Sequence, residues 1–422
     1  MQVLFQLRNS TTDRRQGDPE VAAGGRETPG IDRSQQDGHR LQSIHGVPST
    51  NERVLPETTI YLAVLGGLNR LPTRAAVRSG WSKTMKAIQY RSYGDYSENR
   101  LVDLPQPALR DGEVLVEMRT VGINPLDNTF RSGHFYGATP ENLPRIGGQT
   151  GAGAVVASKS DAFNVGNRVF VRGPGFGLMA DGTWREFVAA PAASLSLIPD
   201  SIDDDHAAAY LAGAGYLTGY LSLTELAKFK PGQTVLAPGI GGAVGMETVQ
   251  VARRLGASLA ISTASSTEKA NHARAAGYDH VIDLSKESLK NGILRITEGK
   301  GVDIVVDGIS GKLTGEALAS LAFGGTVVTA GYAGGREAKV NVTDIIWKAA
   351  TIRGFTFRLF DQQTVAAANA ALLEFLKEGT LQPTISRIFP LSQAAEAVRY
   401  LIEDRPFGRV LMDAQGQHWI GK

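Results

Sequence analysis

The spacing of apolar and polar positions divides the chain into three stretches of different character. Residues 1–84 are rich in Arg, Gln, Ser, Asp and Gly and show little periodicity, so they would bury little surface. From Met85 to about Ile202 short alternating runs predict strands at Lys86–Tyr90, Gly112–Val121, Ala152–Ala157 and Arg168–Arg172. Turn signals punctuate them at Pro105, Pro107, Asp111-Gly112, Gly147-Gly148 and Gly173–Gly177, the pattern of a small, partly closed β-structure. A helical stretch rich in alanine and leucine, about Asp204–Phe229, follows.

Beyond Lys230-Pro231-Gly232 the period alternates. Strands are predicted at Thr234–Ala237, Leu259–Thr263, His280–Ile282, Asp303–Asp307 and Thr326–Ala330. Helices are predicted between them at about 242–255, 266–276, 286–297 and 311–322. Such alternation specifies a parallel, doubly wound sheet that binds ligands outside the carboxyl ends of its strands. A strand (Thr351–Phe355), a helix (Gln362–Lys377), a second helix (Leu391–Glu403) and a closing strand (Arg409–Met412) complete the chain.

The first strand of that alternating region runs into a glycine turn in which Gly239, Gly242 and Gly245 are evenly spaced and Gly241 is an addition. Glycines at this spacing let the chain turn, let the backbone approach a diphosphate and let a helix pack on a strand. The helix amino terminus then offers N–H groups to an anion. The segment Gly239, Gly241, Gly242, Ala243, Val244 and Gly245 is therefore the candidate dinucleotide turn. A site for an unphosphorylated ribose places a carboxylate at the end of the second strand. This chain has Ser262, Thr263, Ala264, Ser265 and Ser266 there, with no acid before Glu268 and a cation at Lys269. Hydroxyls and Lys269 suit a 2′-phosphate, which favours NADPH over NADH. A second reading makes Ser265 and Glu268 a helix capping box.

Composition narrows the options further. Lysines and arginines number 44 against 42 acids, which leaves no field to attract nucleic acid or an anionic membrane. The absence of cysteine excludes disulfides, thiolate catalysis and a cysteine-built zinc site. The seven histidines are dispersed without ligand spacing. The apolar run Ile60–Leu68, within a short helix expected at Thr58–Leu68, is too short to span a bilayer. Residues 1–84 are expected to be a disordered extension, read as a targeting segment, a regulatory tail or sequence upstream of a start at Met85. Acids scattered through it argue against a transit peptide, and a cytoplasmic location is expected.

The stretches VGINPLDNTFRSG (121–133), IGGQTGAGAVVA (146–157), VLAPGIGGAVG (235–245) and FPLSQAAEAVRYLIEDRPFGRVLM carry a resemblance covering Met85 to about Met412. They resemble the medium-chain dehydrogenase/reductase superfamily, most closely its zinc-free quinone oxidoreductase branch. The resemblance implies an α/β fold in which a GroES-like β-domain adjoins a Rossmann domain with a doubly wound parallel sheet. The expected division is 1–84 extension, 85–206 first part of the GroES-like catalytic domain, 207–350 NADPH-binding Rossmann domain, and 351–422 return to the catalytic domain. Zinc-dependent relatives carry a catalytic Cys where this chain has Asn124 and a His-Glu pair where it has Gln149-Thr150. No metal site is expected, because zinc needs three or four N, S or carboxylate ligands.

The resemblance further implies hydride transfer from NADPH to a quinone or an α,β-unsaturated carbonyl, a small-molecule substrate, and a homodimer with neither nucleic acid nor membrane as partner. Asn124 is the expected donor to the oxygen on which charge develops. Asp127 and Arg131 follow on the same segment, either as site residues or as a mutual pair that fixes the loop. Tyrosines usual in the branch are replaced by Thr129 and Phe135, leaving Tyr136 as a candidate proton donor. Tyr216 and Thr218 are expected near the nicotinamide or as core residues, Gly331 and Tyr332 near its carboxamide, and Ser265 and Lys269 at the 2′-phosphate. A trans-2-enoyl thioester reductase and a non-catalytic NADPH-binding relative are the alternatives.

Overall fold

The computed structural model describes residues 84–135, 137–173 and 175–416. Residues 1–83 of the expected extension, with the helix at Thr58–Leu68, and Tyr136 lie outside the described residues, while Thr84 opens β1. In chain order the first region contains β1 (Thr84–Tyr90), β2 (Arg100–Pro105), β3 (Glu113–Ile123), α1 (Pro125–Arg131), β4 (Arg145–Ile146), β5 (Thr150–Ser158), β6 (Arg168–Arg172), β7 (Phe187–Pro191) and β8 (Leu195–Leu197). Two helices, α2 (Asp204–Leu211) and α3 (Gly215–Leu221), lead to β9 (Thr234–Ala237), α4 (Ala243–Arg254), β10 (Leu259–Ala264), α5 (Thr267–Ala275) and β11 (Val281–Asp283). Then come α6 (Leu289–Ile296), β12 (Val302–Asp307), α7 (Lys312–Ala319), β13 (Leu321–Thr329), α8 (Val342–Lys348), β14 (Thr351–Gly354) and α9 (Gln362–Lys377). The chain closes with β15 (Ile385–Pro390), α10 (Ala394–Arg399) and β16 (Arg409–Asp413).

The strands β9 to β14 form one six-stranded parallel sheet in the order β11-β10-β9-β12-β13-β14. Counted from β9 this is 3-2-1-4-5-6, the doubly wound order, with its switch point between β9 and β12. Val235, Leu236 and Ala237 are all buried because helices cover both faces, which is why β9 reads as a continuous apolar run instead of an alternating one. The long α3–α4 contact and the clusters around Ile261 and Val305 supply that cover.

The other strands build a seven-stranded, largely antiparallel sheet, β15-β16-β3-β5-β6-β8 with β7 on β3, and a small sheet β2-β1-β4. Its core includes Trp184, whose indole N–H donates to the Gly122 carbonyl at 2.9 Å. Both C-terminal strands join it, since β16 pairs with β3 over Val410–Asp413 against Ile123–Thr120.

Two expectations are corrected. The helix expected over Asp204–Phe229 is α2, a break at Ala212–Ala214, α3 and a π turn at Ser222–Leu226; Gly213, at φ +122°, cannot continue a helix. The boundary expected at 350/351 falls inside the parallel sheet, because Thr351–Gly354 pairs in register with Thr326–Thr329.

Candidate functional site

The turn after β9 is fixed by its neighbour strand. Gly239 sits at φ +87°, a region that favours glycine, and its N–H donates to Thr263 Oγ1 at 2.9 Å. Ile240 N–H donates to the Thr263 carbonyl at 2.8 Å, and Ser262 Oγ donates to the Ala237 carbonyl at 2.5 Å. The hydroxyls of Ser262 and Thr263 thus pin the turn and are committed to it. Gly242 is the N-cap of α4 and no side chain caps that helix, so its first N–H groups face outward with the positive end of the helix dipole. Gly245 allows the helix to start close to the strand, since a Cβ there would lie 2.2 Å from the Gly239 carbonyl oxygen.

A cavity of about 470 Å³ opens on this turn. Gly239, Gly241, Gly242 and Ala243 line one part of it, Ser265 and Lys269 another, and Ile123 and Pro125 a third. Six of the residues expected to hold a dinucleotide therefore share one wall system. Val244 and Gly245 lie in the first turn of α4 behind that wall.

The end of β10 is built differently from the capping box expected there. Ser266, not Ser265, caps α5 by accepting from Lys269 N–H at 3.3 Å, which leaves Ser265 exposed on the cavity. Lys269 Nζ donates to the Arg405 carbonyl at 3.0 Å, and Arg405 lines the same cavity at φ +49°. Arg405 and Arg409 were not assigned from sequence. Their signal is the pair of arginines flanking Pro406-Phe407-Gly408 before the closing strand, legible only once that strand is known to return beside the turn.

Asn124 follows β3 and caps α1. Its Oδ1 accepts from Leu126 N–H at 2.9 Å and from Gln149 Nε2 at 3.3 Å, while its N–H donates to Asp127 Oδ2 at 2.9 Å. Gln149 Nε2 also donates to Asp127 Oδ1 at 3.0 Å. Burial pushes the Asp127 carboxyl up to about 7, against the pull of its bonds from Gln149 and Asn124. Arg131 does not pair with Asp127, so the mutual pair is corrected: its guanidinium donates to the Gly94 carbonyl and to Asn128 Oδ1 and lies over the Tyr96 ring at 5.1 Å. The cavity wall includes Ile123 and Pro125, on either side of Asn124, but not Asn124, Asp127 or Arg131.

The positions where zinc-dependent relatives hold their ligands do not fit zinc. Asn124 and Gln149 present amides already bonded to each other, and the Thr150 hydroxyl is buried. Among the described residues no three His, Cys, Asp or Glu side chains gather as a metal cluster.

The remaining expected residues stand off the cavity. Tyr216 is buried, stacks on Tyr210 at 5.3 Å and donates to Gln250 Oε1 at 3.0 Å, which fits the core reading. Thr218 is buried on the same helix. Gly331 packs against the Gly308 carbonyl and accepts from Ser310 Oγ at 2.7 Å; Tyr332 is exposed, and Ala333 and Gly334 are the lining residues of that loop.

Comparison with known proteins agrees with this architecture. Residues 110–200 match the alcohol dehydrogenase GroES-like domain and residues 243–374 the zinc-binding dehydrogenase family. Quinone oxidoreductase-like protein 2 of Bos taurus is 30% identical over 313 residues, 73% of this chain and 86% of that protein. A quinone oxidoreductase structure from Pseudomonas syringae pv. Tomato shares 32% identity at a TM-score of 0.65, covering 78% of this chain and 99% of that one. A mycobacterial protein complexed with NADPH shares 30% identity at a TM-score of 0.65, again over 78% and 99%. The chain belongs to the zinc-free, quinone oxidoreductase-like branch of the medium-chain dehydrogenase/reductase superfamily and is an oxidoreductase with a nicotinamide cofactor.

Proposed function

We propose that the chain is a zinc-independent reductase that uses NADPH to reduce a quinone or an α,β-unsaturated carbonyl. The observation that carries this reading is the cavity's charge layout. An uncapped helix terminus stands at one end, Ser265 with Lys269 and Arg405 at another, and the lining contains no carboxylate. A 2′-phosphate is welcome in such a corner, whereas a ribose hydroxyl loses its usual acceptor.

NADPH supplies a hydride when bound. The backbone of Gly239–Ala243 receives the diphosphate, and Ser265, Lys269 and Arg405 hold the 2′-phosphate. Ile123, Pro125, Leu401 and Ile402 give the cleft an apolar wall that excludes water. Because the Asn124 carbonyl oxygen is already engaged, its Nδ2 is the end that donates to the substrate oxygen as charge develops there. One preorganised donor of this kind contributes about 3 kcal/mol to the transition state. Asp127 and Gln149 orient that amide and do not themselves touch the substrate.

Oxidation of NADPH and NADH by the purified chain, with a quinone, a small enone and an enoyl thioester offered separately, tests the reading. Turnover with NADPH and a quinone or enone is expected. Turnover confined to the thioester would make it an enoyl thioester reductase; NADPH binding without turnover on any acceptor would leave a binding protein. Preference for NADH would overturn the phosphate assignment. The functional unit is a homodimer, a reading supported by the exposed outer edge of β14.

A further inference from the structure

At the far end of α4 from the glycine turn a second cavity, of about 460 Å³, opens between the last turn of that helix, residues 276–278 after α5, and residues 380–384, which lead into β15. None of its lining residues lines the cofactor cavity. Its back wall is a hydrogen-bond network centred on Gln250, which is buried within α4. Gln382 N–H can only donate, so it fixes the orientation of the amide: Gln250 Oε1 accepts from it at 2.8 Å and from the Tyr216 hydroxyl at 3.0 Å. Gln250 Nε2 then donates to the Gln382 carbonyl at 3.1 Å and to Tyr278 Oη at 2.6 Å. The Tyr278 hydroxyl is also bonded to that of Thr384, and both residues line the cavity. Two hydroxyls joined by one hydrogen bond spend only one of their protons on it, so the other remains as a donor on the cavity wall.

Two arginines stand beside that wall. Arg253 lies over the Tyr278 ring at 5.3 Å, and its Nη1 donates to the Gly277 carbonyl at 2.9 Å. That carbonyl belongs to the turn after α5, so the dipole of α4 does not account for the direction the side chain takes. Arg254 is held by Glu378, whose Oε2 accepts from its Nε at 3.0 Å and its Nη2 at 2.8 Å. Among the described residues Arg253 pairs with no carboxylate, and the cavity lining contains no acid. An exposed pair such as Arg254–Glu378 contributes little to stability, and Arg253 gains nothing of that kind. A guanidinium carries five N–H donors in a fixed fork, most of which Arg253 leaves unspent. Convergent donors, an uncompensated positive charge and no carboxylate to meet them are the lining that an oxygen-rich anion requires.

We propose that this cavity is a second ligand site, separate from the cofactor cavity, for a small molecule bearing a phosphate or carboxylate group, with Arg253 as its principal ligand and Glu378 as the anion's competitor for Arg254. The bound group joins α4 and the turn after α5 to the segment that carries the chain into the catalytic sheet, the same three parts that Gln250 fastens together. The inference stands independently of the dinucleotide reading.

Crystals of the full chain soaked in sodium selenate, a tetrahedral oxyanion located directly by its anomalous scattering, test the position. A peak within hydrogen-bond reach of Arg253 is expected in the wild type and should be lost in Arg253→Gln. In solution, calorimetry with inorganic phosphate and with citrate, the cofactor cavity filled by NADPH, shows which of the two groups the site takes. Arg253→Gln should weaken the tighter of the two by about tenfold or more. Glu378→Gln, which frees Arg254, should tighten it by about two- to fivefold, a gain that a purely structural ion pair does not produce. An empty cavity in the selenate crystals overturns the proposal. So does a selenate peak without any difference between the wild type and Arg253→Gln in solution, which would mean an adventitious ion only. A chain that fails to bind NADPH removes the dinucleotide reading instead, and the selenate crystals and titrations without NADPH then decide this site by themselves.

Discussion

Asp127 carries an unusual protonation state for a reason visible in its surroundings. It is buried, no cation faces it, and its partners are one backbone N–H and the Gln149 amide. Its pKa rises from 3.8 to about 7 because burial outweighs those two bonds. The folded protein therefore keeps a proton that the unfolded chain releases. This group's contribution to stability is fully present below about pH 4 and is lost as pH rises through about 7. Asp127→Asn removes the linkage: its stability relative to wild type should increase by up to about 1.4 kcal/mol per pH unit across that window. Urea melts from pH 4 to 8 measure this, and a constant difference between the two proteins would refute it. At the corner proposed for the 2′-phosphate, Lys269→Ala should raise the KM for NADPH by roughly tenfold or more and leave that for NADH unchanged, as the loss of one charge-assisted bond requires. Lys269 and Ser265 were legible because they lie at a fixed distance from a recognisable turn. Arg405, Arg409 and the Gln149 bonds were not, because each depends on a contact between residues far apart in sequence.

The elements were legible in proportion to how locally they are determined. Each parallel strand is a short apolar run bounded by a helix, and β9 to β12 fall where the pattern predicts them, while β13 begins at Leu321, within the helix expected to run to 322. The break between α2 and α3 is not legible because alanine and leucine favour helix throughout; Gly213 is required by its φ of +122° as well as by the closeness of Arg409, and Gly215 by the closeness of Glu247 and the Ala243 carbonyl. β14 was expected in the other sheet because nothing within four residues specifies a strand's neighbour. The fit of α4 against the turn gives a sharp test at this scale. Gly245→Ala places a Cβ 2.2 Å from the Gly239 carbonyl oxygen and 2.6 Å from that of Pro238, both backbone atoms that a rotamer change cannot move. A loss of about 2 kcal/mol or more is expected in chemical denaturation. At Gly242 the new Cβ meets nothing closer than 3.5 Å, and the backbone is extended. Gly242→Ala should therefore cost no more than about 1 kcal/mol, the difference between glycine and alanine at an N-cap, while weakening NADPH binding. Equal destabilisation by the two substitutions would contradict the packing described for this helix.

The whole molecule presents one edge that calls for a partner. All four residues of β14 are exposed, and among the described residues the strand pairs only with β13, so its outer row of N–H and C=O groups completes no ladder there. Ile346, Trp347, Ile352, Phe357 and Leu359 lie exposed in the elements around it, with Trp347 76% accessible. Apolar surface of this extent beside an open strand marks an interface. In the homodimer proposed above, a second copy related by a twofold axis would meet it with the same edge, since an isologous contact brings identical strands together antiparallel. No helix among the described residues is long and apolar enough to cross a membrane. Trp347→Lys should then convert a dimer to a monomer in sedimentation velocity. The cavity is walled by a single chain, so NADPH affinity should survive in that monomer. A wild-type protein that sediments as a monomer at tens of micromolar would leave β14 unpaired and overturn the dimer. A Trp347→Lys monomer that no longer bound NADPH would show instead that the nucleotide site is completed only by association.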